Sequence, residues 1–230
     1  MFELNKTRDV TWIDHHASVI EEYEQKMQTG EYEAIVVPAA SPIQDMKGLI
    51  EALKADPGAV SWAGGSAGGT DHIAVGLIAK AAGVDPTKIN YIAYSGGGEA
   101  LAAILGNQVT AGVSSLGEFD AQVKAGTLRL LAVSSPERIE GADAPTLKEA
   151  GLDVELQNWR MVAAAPGLSD EQKAKVSADI EKMVKSENWQ KQLADKGWSD
   201  TYLSGADFDA QLAKDEEATA AVLKDIGLVK

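Results

Sequence analysis

"VSWAGGSAGGTDHIAVGLIAKAAG", residues 60–83, holds a whole structural unit. An apolar run into Gly64 predicts a buried strand over 60–64. A glycine-rich turn follows. Thr70, read as an N-cap, then opens a helix over 70–83 with Ile73, Leu77, Ile78 and Ala81 on one face. A strand that passes through glycines into a helix is the repeating step of an α/β layer.

The same step recurs along the chain. "EAIVV", 33–37, is a short strand stopped by Pro38. Met46, Leu49, Ile50 and Leu53 follow at helical spacing, ended by "DPG" at 56–58. "INYIAY", 89–94, leads through "SGGG" into a helix at 98–106. "QVTAGVS", 108–114, leads into a short helix around 117–125, and "LRLLAVS", 128–134, is a further strand. This alternation predicts an α/β fold with a largely parallel sheet. After "APTLKEAG", 144–151, an extended stretch runs from 154 to 167. Two helices are expected beyond it. One carries Val176, Ile180, Met183 and Val184, and the other Phe208, Leu212, Val222, Leu223 and Ile226.

Three strand-to-helix turns carry the chemistry: Gly64, Gly65, Ser66, Gly68, Gly69 and Thr70; Tyr94, Ser95, Gly96 and Gly97; and Ser114 and Ser115. Each offers backbone N–H groups at the positive end of a helix dipole, and most add a hydroxyl. In an open α/β sheet such turns share the carboxyl edge, where ligands bind. The pattern suits a small anion held without metal, cofactor or catalytic nucleophile. No Gly-Lys-Ser/Thr follows either glycine cluster, so neither is a P-loop. "INYIAY" ends without the acidic residue a dinucleotide ribose needs.

Composition narrows the field. The 230 residues are 45% apolar and 24% charged, as in an ordinary globular protein. With no cysteine, disulfides, thiolate zinc sites and cysteine nucleophiles are excluded; an oxidising compartment is compatible. A formal charge of −14 argues against nucleic acid as a partner. No run reaches the length of a membrane span, and the N-terminus as written carries no secretory signal.

"VVPAASPIQDMKGLIEALKADPGAVSWAGGSAGGTDHI", "INYIAYSGGGEALAAILGNQVTAGVS", "AGTLRLLAVSSPERI" and "APTLKEAG" together resemble the solute-binding receptors of tripartite tricarboxylate transporters, from about Thr29 to the C-terminus. The resemblance implies a type II periplasmic-binding-protein fold. It also implies a non-enzymatic role: binding an organic carboxylate in the periplasm and delivering it to membrane permease subunits. It makes "EAIVVP" and "WRMVAAAP" the hinge crossings. A lobe-forming segment that such receptors carry before the first crossing is missing from this sequence. The expectation is therefore one complete lobe, 31–160, and an incomplete second lobe to which 161–230 contributes helices. The affinity should be weakened, and apolar stripes left exposed could pair in a homodimer.

Residues 1–30 read differently. "ELNKTRDVTWIDHHASVIEEYE", 3–24, resembles a fragment of the DHH phosphoesterases. That resemblance implies a divalent metal at Asp14, His15 and His16, and a phosphoesterase activity as an alternative function. A catalytic metal needs more ligands than this triplet supplies. The simpler reading is a helix start capped by Asp14. Arg160 could reach a ligand carboxylate or form a surface ion pair. Trp62 and Tyr94 could line a cleft or pack in the core. Glu99 and Glu118 sit in first helical turns, where carboxylates are favoured.

Overall fold

A computed structural model describes residues 25–164 and 167–229, with side chains from Thr29 onward. Asp14, His15 and His16, with the metal site and phosphoesterase reading attached to them, lie outside the described residues.

The first strand, β1 (Gln25–Pro38), is far longer than the 33–37 segment that hydrophobicity marks. It threads two sheets. Its C-terminal half lies between β4 (Ala111–Ser115) and β5 (Leu128–Val133), antiparallel to both. Its N-terminal half lies between β6 (Gln157–Ala163) and β7 (Ser199–Ser204), again antiparallel. β2 (Ser61–Gly64) runs parallel to β3 (Asn90–Ala93) and to β4, giving the order β3-β2-β4-β1-β5. The expected largely parallel sheet is thus mixed. Parallel pairing holds for the three strands that feed the glycine turns and fails at β1. An apolar run buried on both faces reads the same in either direction, so sequence carried no sign of the reversal.

The helices sit on both faces of the larger sheet. α1 (Met46–Ala55) is capped by Asp45, whose side chain accepts from the Gly48 N–H at 2.8 Å. α2 (Thr70–Ala81) starts from Gly69, so Thr70 is its first helical residue and makes no side-chain cap. Ile35, Val37, Leu49, Leu53, Trp62 and Ile78 form the core on one face. Trp62 is fully buried there and does not line a cleft. α3 (Gly97–Leu105) and α4 (Leu116–Lys124) cover the other face, where Ala34, Val36, Ala63, Ile104 and Phe119 pack and Tyr94 lies against them.

The chain passes between the sheets twice, and one serine ties both passages. The Glu33 N–H donates to Ser134 Oγ at 2.9 Å, and that hydroxyl donates to the Leu156 carbonyl. In return the Ser134 N–H donates to Glu33 O, and the Leu156 N–H donates to Ser134 O. The second passage therefore precedes "WRMVAAAP", of which residues 159–163 belong to β6.

Among the described residues beyond Gly167 there are three helices and a strand where two helices were expected. α5 (Asp170–Val184) has a full capping box between Ser169 and Gln172. α6 (Glu187–Lys196) begins at Ser186, which accepts from the Trp189 N–H, and ends at Gly197 with φ +65°. These caps break what hydrophobic spacing alone joins. Of the α5 stripe only Val184 is buried. α7 (Ala206–Asp225) spans the two sheets. Phe208 meets Trp159 of β6 edge-on, while Val222, Leu223 and Ile226 pack on Ile73 of α2. Leu223 and Leu228 also lie against Gly68 in the first glycine turn. Ile226→Ala should cost about 2–4 kcal/mol in urea unfolding, as buried Ile-to-Ala changes do. It should also raise amide exchange across 66–69, which packs on the same helix.

Candidate ligand site at the sheet edge

Because β2, β3 and β4 are adjacent and parallel, their turns emerge side by side. The Tyr94 N–H donates to the Gly64 carbonyl at 2.9 Å, joining the first two turns directly. Gly64 is squeezed from three sides. A Cβ there would lie 2.4 Å from the Tyr91 hydroxyl, 2.9 Å from Asp71 Cβ and 3.1 Å from the Val113 carbonyl, so no larger residue fits without displacement. Gly68 holds φ +82°, which lets its N–H donate to His72 Nδ1 at 3.1 Å. His72 stacks on Tyr91 with ring centroids 4.1 Å apart. Burial lowers the His72 pKa, consistent with a neutral ring accepting at Nδ1.

The donors of the three turns divide into two groups. In one group they already hold carboxylates of the chain. The Gly65 N–H donates to Asp71 Oδ2 at 2.7 Å, the Ser95 N–H to Glu99 Oε2 at 3.1 Å, and the Ser114 hydroxyl to Glu118 Oε2 at 2.8 Å. Each acid stands in the first turn of its helix and reaches back over the turn, as helix-dipole electrostatics favours. In the other group the N–H groups of Ser66, Ala67, Gly96, Gly97 and Gly98 have no acceptor among the described residues. The Glu118 carboxylate lies where a Cβ on Gly97 would go, so the second and third turns touch. Ser115 ends β4 opposite Glu33 of β1.

Sequence reasoning noted Glu99 and Glu118 but missed Glu33 and Asp71 beneath these turns. Glu33 is fully buried, and neither of its carboxyl oxygens has a hydrogen-bond donor among the described residues. Burial pushes its pKa well up, and the charges of Asp71, Glu31 and Glu118 push the same way. Asp71 is pushed up to about 6, mainly by burial and further by Glu118, against the lowering effect of the Gly65 N–H. Burial raises Tyr91, with Asp71 and Glu33 adding to it; its hydroxyl donates to the Gly65 carbonyl at 2.8 Å. A signal was present: a glutamate inside the apolar run "YEAIVVP" has nowhere polar to point. Arg160 pairs with the buried Glu31 and lies over the Trp198 ring, whose Nε1 donates to the other Glu31 oxygen. The pair is partly buried rather than on the surface. Among the described residues no group of three or more His, Asp or Glu side chains is arranged to hold a metal ion.

The model of the tripartite tricarboxylate transporter family receptor matches residues 22–228. The chain belongs to that family. A curated relative from Cupriavidus necator, the UPF0065 protein in the gbd 5′ region, is 28% identical over 200 residues, which cover 85% of this chain and 59% of that one. The chain spans between 38% and 59% of the curated relatives it matches. A TctC solute-binding protein from Polaromonas superposes with a TM-score of 0.69 at 26% identity, over 89% of this chain and 70% of that one. An R. palustris protein solved with adipate superposes with a TM-score of 0.77 at 20% identity, over 90% and 69%, and shares the fold. The periplasmic-binding-protein α/β fold is therefore established, and the family is one of transport receptors.

The raised Asp71 pKa has a measurable consequence. An acid whose folded pKa exceeds its unfolded value stabilises the fold at low pH, and that stability is lost as pH rises through the folded value. Between about pH 4 and pH 7 the wild type should lose on the order of 2–3 kcal/mol relative to Asp71→Asn, read from urea unfolding across that range.

Proposed function

We propose that this chain forms the ligand-gripping part of a periplasmic receptor that binds an organic carboxylate and delivers it to the membrane permease subunits of its transporter. The observation that carries this reading is the convergence of three helix starts on the adjacent ends of β2, β3 and β4. Family membership supports it, and so does a fold shared with a protein solved with adipate. The ligand carboxylate would accept from the free N–H groups of Ser66, Gly96 and Gly97, with Gly64, Gly65, Gly68 and Gly69 keeping the approach open. Hydroxyls of Ser66, Thr70, Ser95 and Ser115 stand close enough in the chain to share the load, while Tyr94 and Ser114 hold the turns together. The chemistry is binding: the chain's own carboxylates at these turns accept from turn donors and hold the turns in shape.

Calorimetric titration with adipate and citrate tests the reading. Saturable binding of at least one is expected. Gly97→Val should weaken it at least tenfold while leaving the melting temperature nearly unchanged, because the new side chain fills the approach to the turn and displaces only the flexible end of Glu118. No binding of any di- or tricarboxylate would overturn the proposal.

A further inference from the structure

The site that should hold an anion is lined by acids. Glu33 of β1, Asp71 of α2 and Glu118 of α4 surround the first and third turns, and Glu99 of α3 closes the second. No Lys or Arg among the described residues forms an ion pair with any of the four. The other charged groups around them do not compensate. Glu31, next along β1, adds a negative charge that Arg160 takes up, and Lys196 lies over the Trp198 ring. Tyr91 of β3 donates to the Gly65 carbonyl, and His72 of α2 accepts from the Gly68 N–H. A carboxylate entering here therefore meets like charge with no paired cation: Asp71 at the first turn is partly buried, while Glu99 and Glu118 are exposed and more strongly screened by solvent.

Resting on the receptor reading above, we propose that a carboxylate ligand binds to this edge together with one proton, taken up by the Glu33–Asp71 pair. The geometry provides the place for it. Both Glu33 oxygens are buried without a donor, and Asp71 is the carboxyl they face. Burial already favours the neutral form of Glu33, so the proton that arrives with the ligand goes to Asp71 and removes its negative charge. Asp71 can meanwhile keep accepting from Gly65 through its other oxygen. The free protein at neutral pH already sits near this transition, since burial holds Asp71 at about 6. An incoming anion raises the proton affinity of both acids. By linkage, a proton that assists the anion makes binding tighter as pH falls.

The experiment is calorimetry of the whole chain with adipate and citrate, from pH 7.5 to pH 6.0, in buffers of different ionisation enthalpy. Citrate's last carboxyl titrates within this range and adipate's second just below it, so each ligand's own proton exchange is titrated separately and subtracted. The result expected is uptake of about 0.5–1 proton per ligand and affinity about tenfold higher at pH 6.0 than at pH 7.5. Asp71→Asn, which preserves shape, should bind more tightly at pH 7.5 and lose most of the uptake, whereas Glu33→Gln, a stand-in for the neutral acid, should keep it. Binding without proton uptake overturns the inference and leaves the receptor reading standing. So does affinity restored at fixed pH only by sodium or magnesium, and so does unchanged uptake in Asp71→Asn. The absence of any binding across the whole pH range overturns both.

Discussion

β1 has to belong to two sheets at once, and the residues at its change of sheet are pinned on every side. The main chain at Glu33 is held by Ser134, which also holds Leu156, so both passages between the sheets depend on one buried hydroxyl. The side chain of the same glutamate is buried with no donor, against Asp71. Burying an ionised carboxylate without a partner is costly enough that proteins usually neutralise it. The strand that joins the two sheets therefore also sets the electrostatics of the edge where the helices begin.

That arrangement changes how the glycine turns should be read. Glycines and helix starts describe a positive rim, and the rim is real: Ser66, Gly96, Gly97 and Gly98 offer unsatisfied N–H groups. Behind it stand acids that already satisfy the neighbouring donors at Gly65, Ser95 and Ser114. A site of this kind can discriminate by charge as well as by shape. Under the proposed reading, a ligand brings the negative charge that uses the rim, and the acids behind are neutralised to admit it.

α7 links this edge to the rest of the molecule. It carries Phe208 at the smaller sheet and Val222 and Leu223 at α2, and its C-terminal continuation lies against Gly68. The first turn is thus packed by residues more than 150 positions away in the chain. Any movement of one sheet relative to the other would be felt at the turn through this helix.

The amino-acid sequence by itself determined the order of the α/β steps, most helix positions within a residue or two, and the three turns, because hydrophobic period and glycine placement are local signals. It also carried the ordered blocks that mark the family. It did not disclose that β1 runs against its neighbours, since a doubly buried strand has no polar face to orient it. It showed Ser186 and Gly197 without revealing that they divide the C-terminal region, because caps become legible only beside the helices they end. The pairing of Glu33 with Asp71 was decided by tertiary structure alone. Those residues are far apart in sequence, and although Glu33 stands out inside its apolar run, only the pairing of β1 with β4 and of β4 with β2 brings it near Asp71.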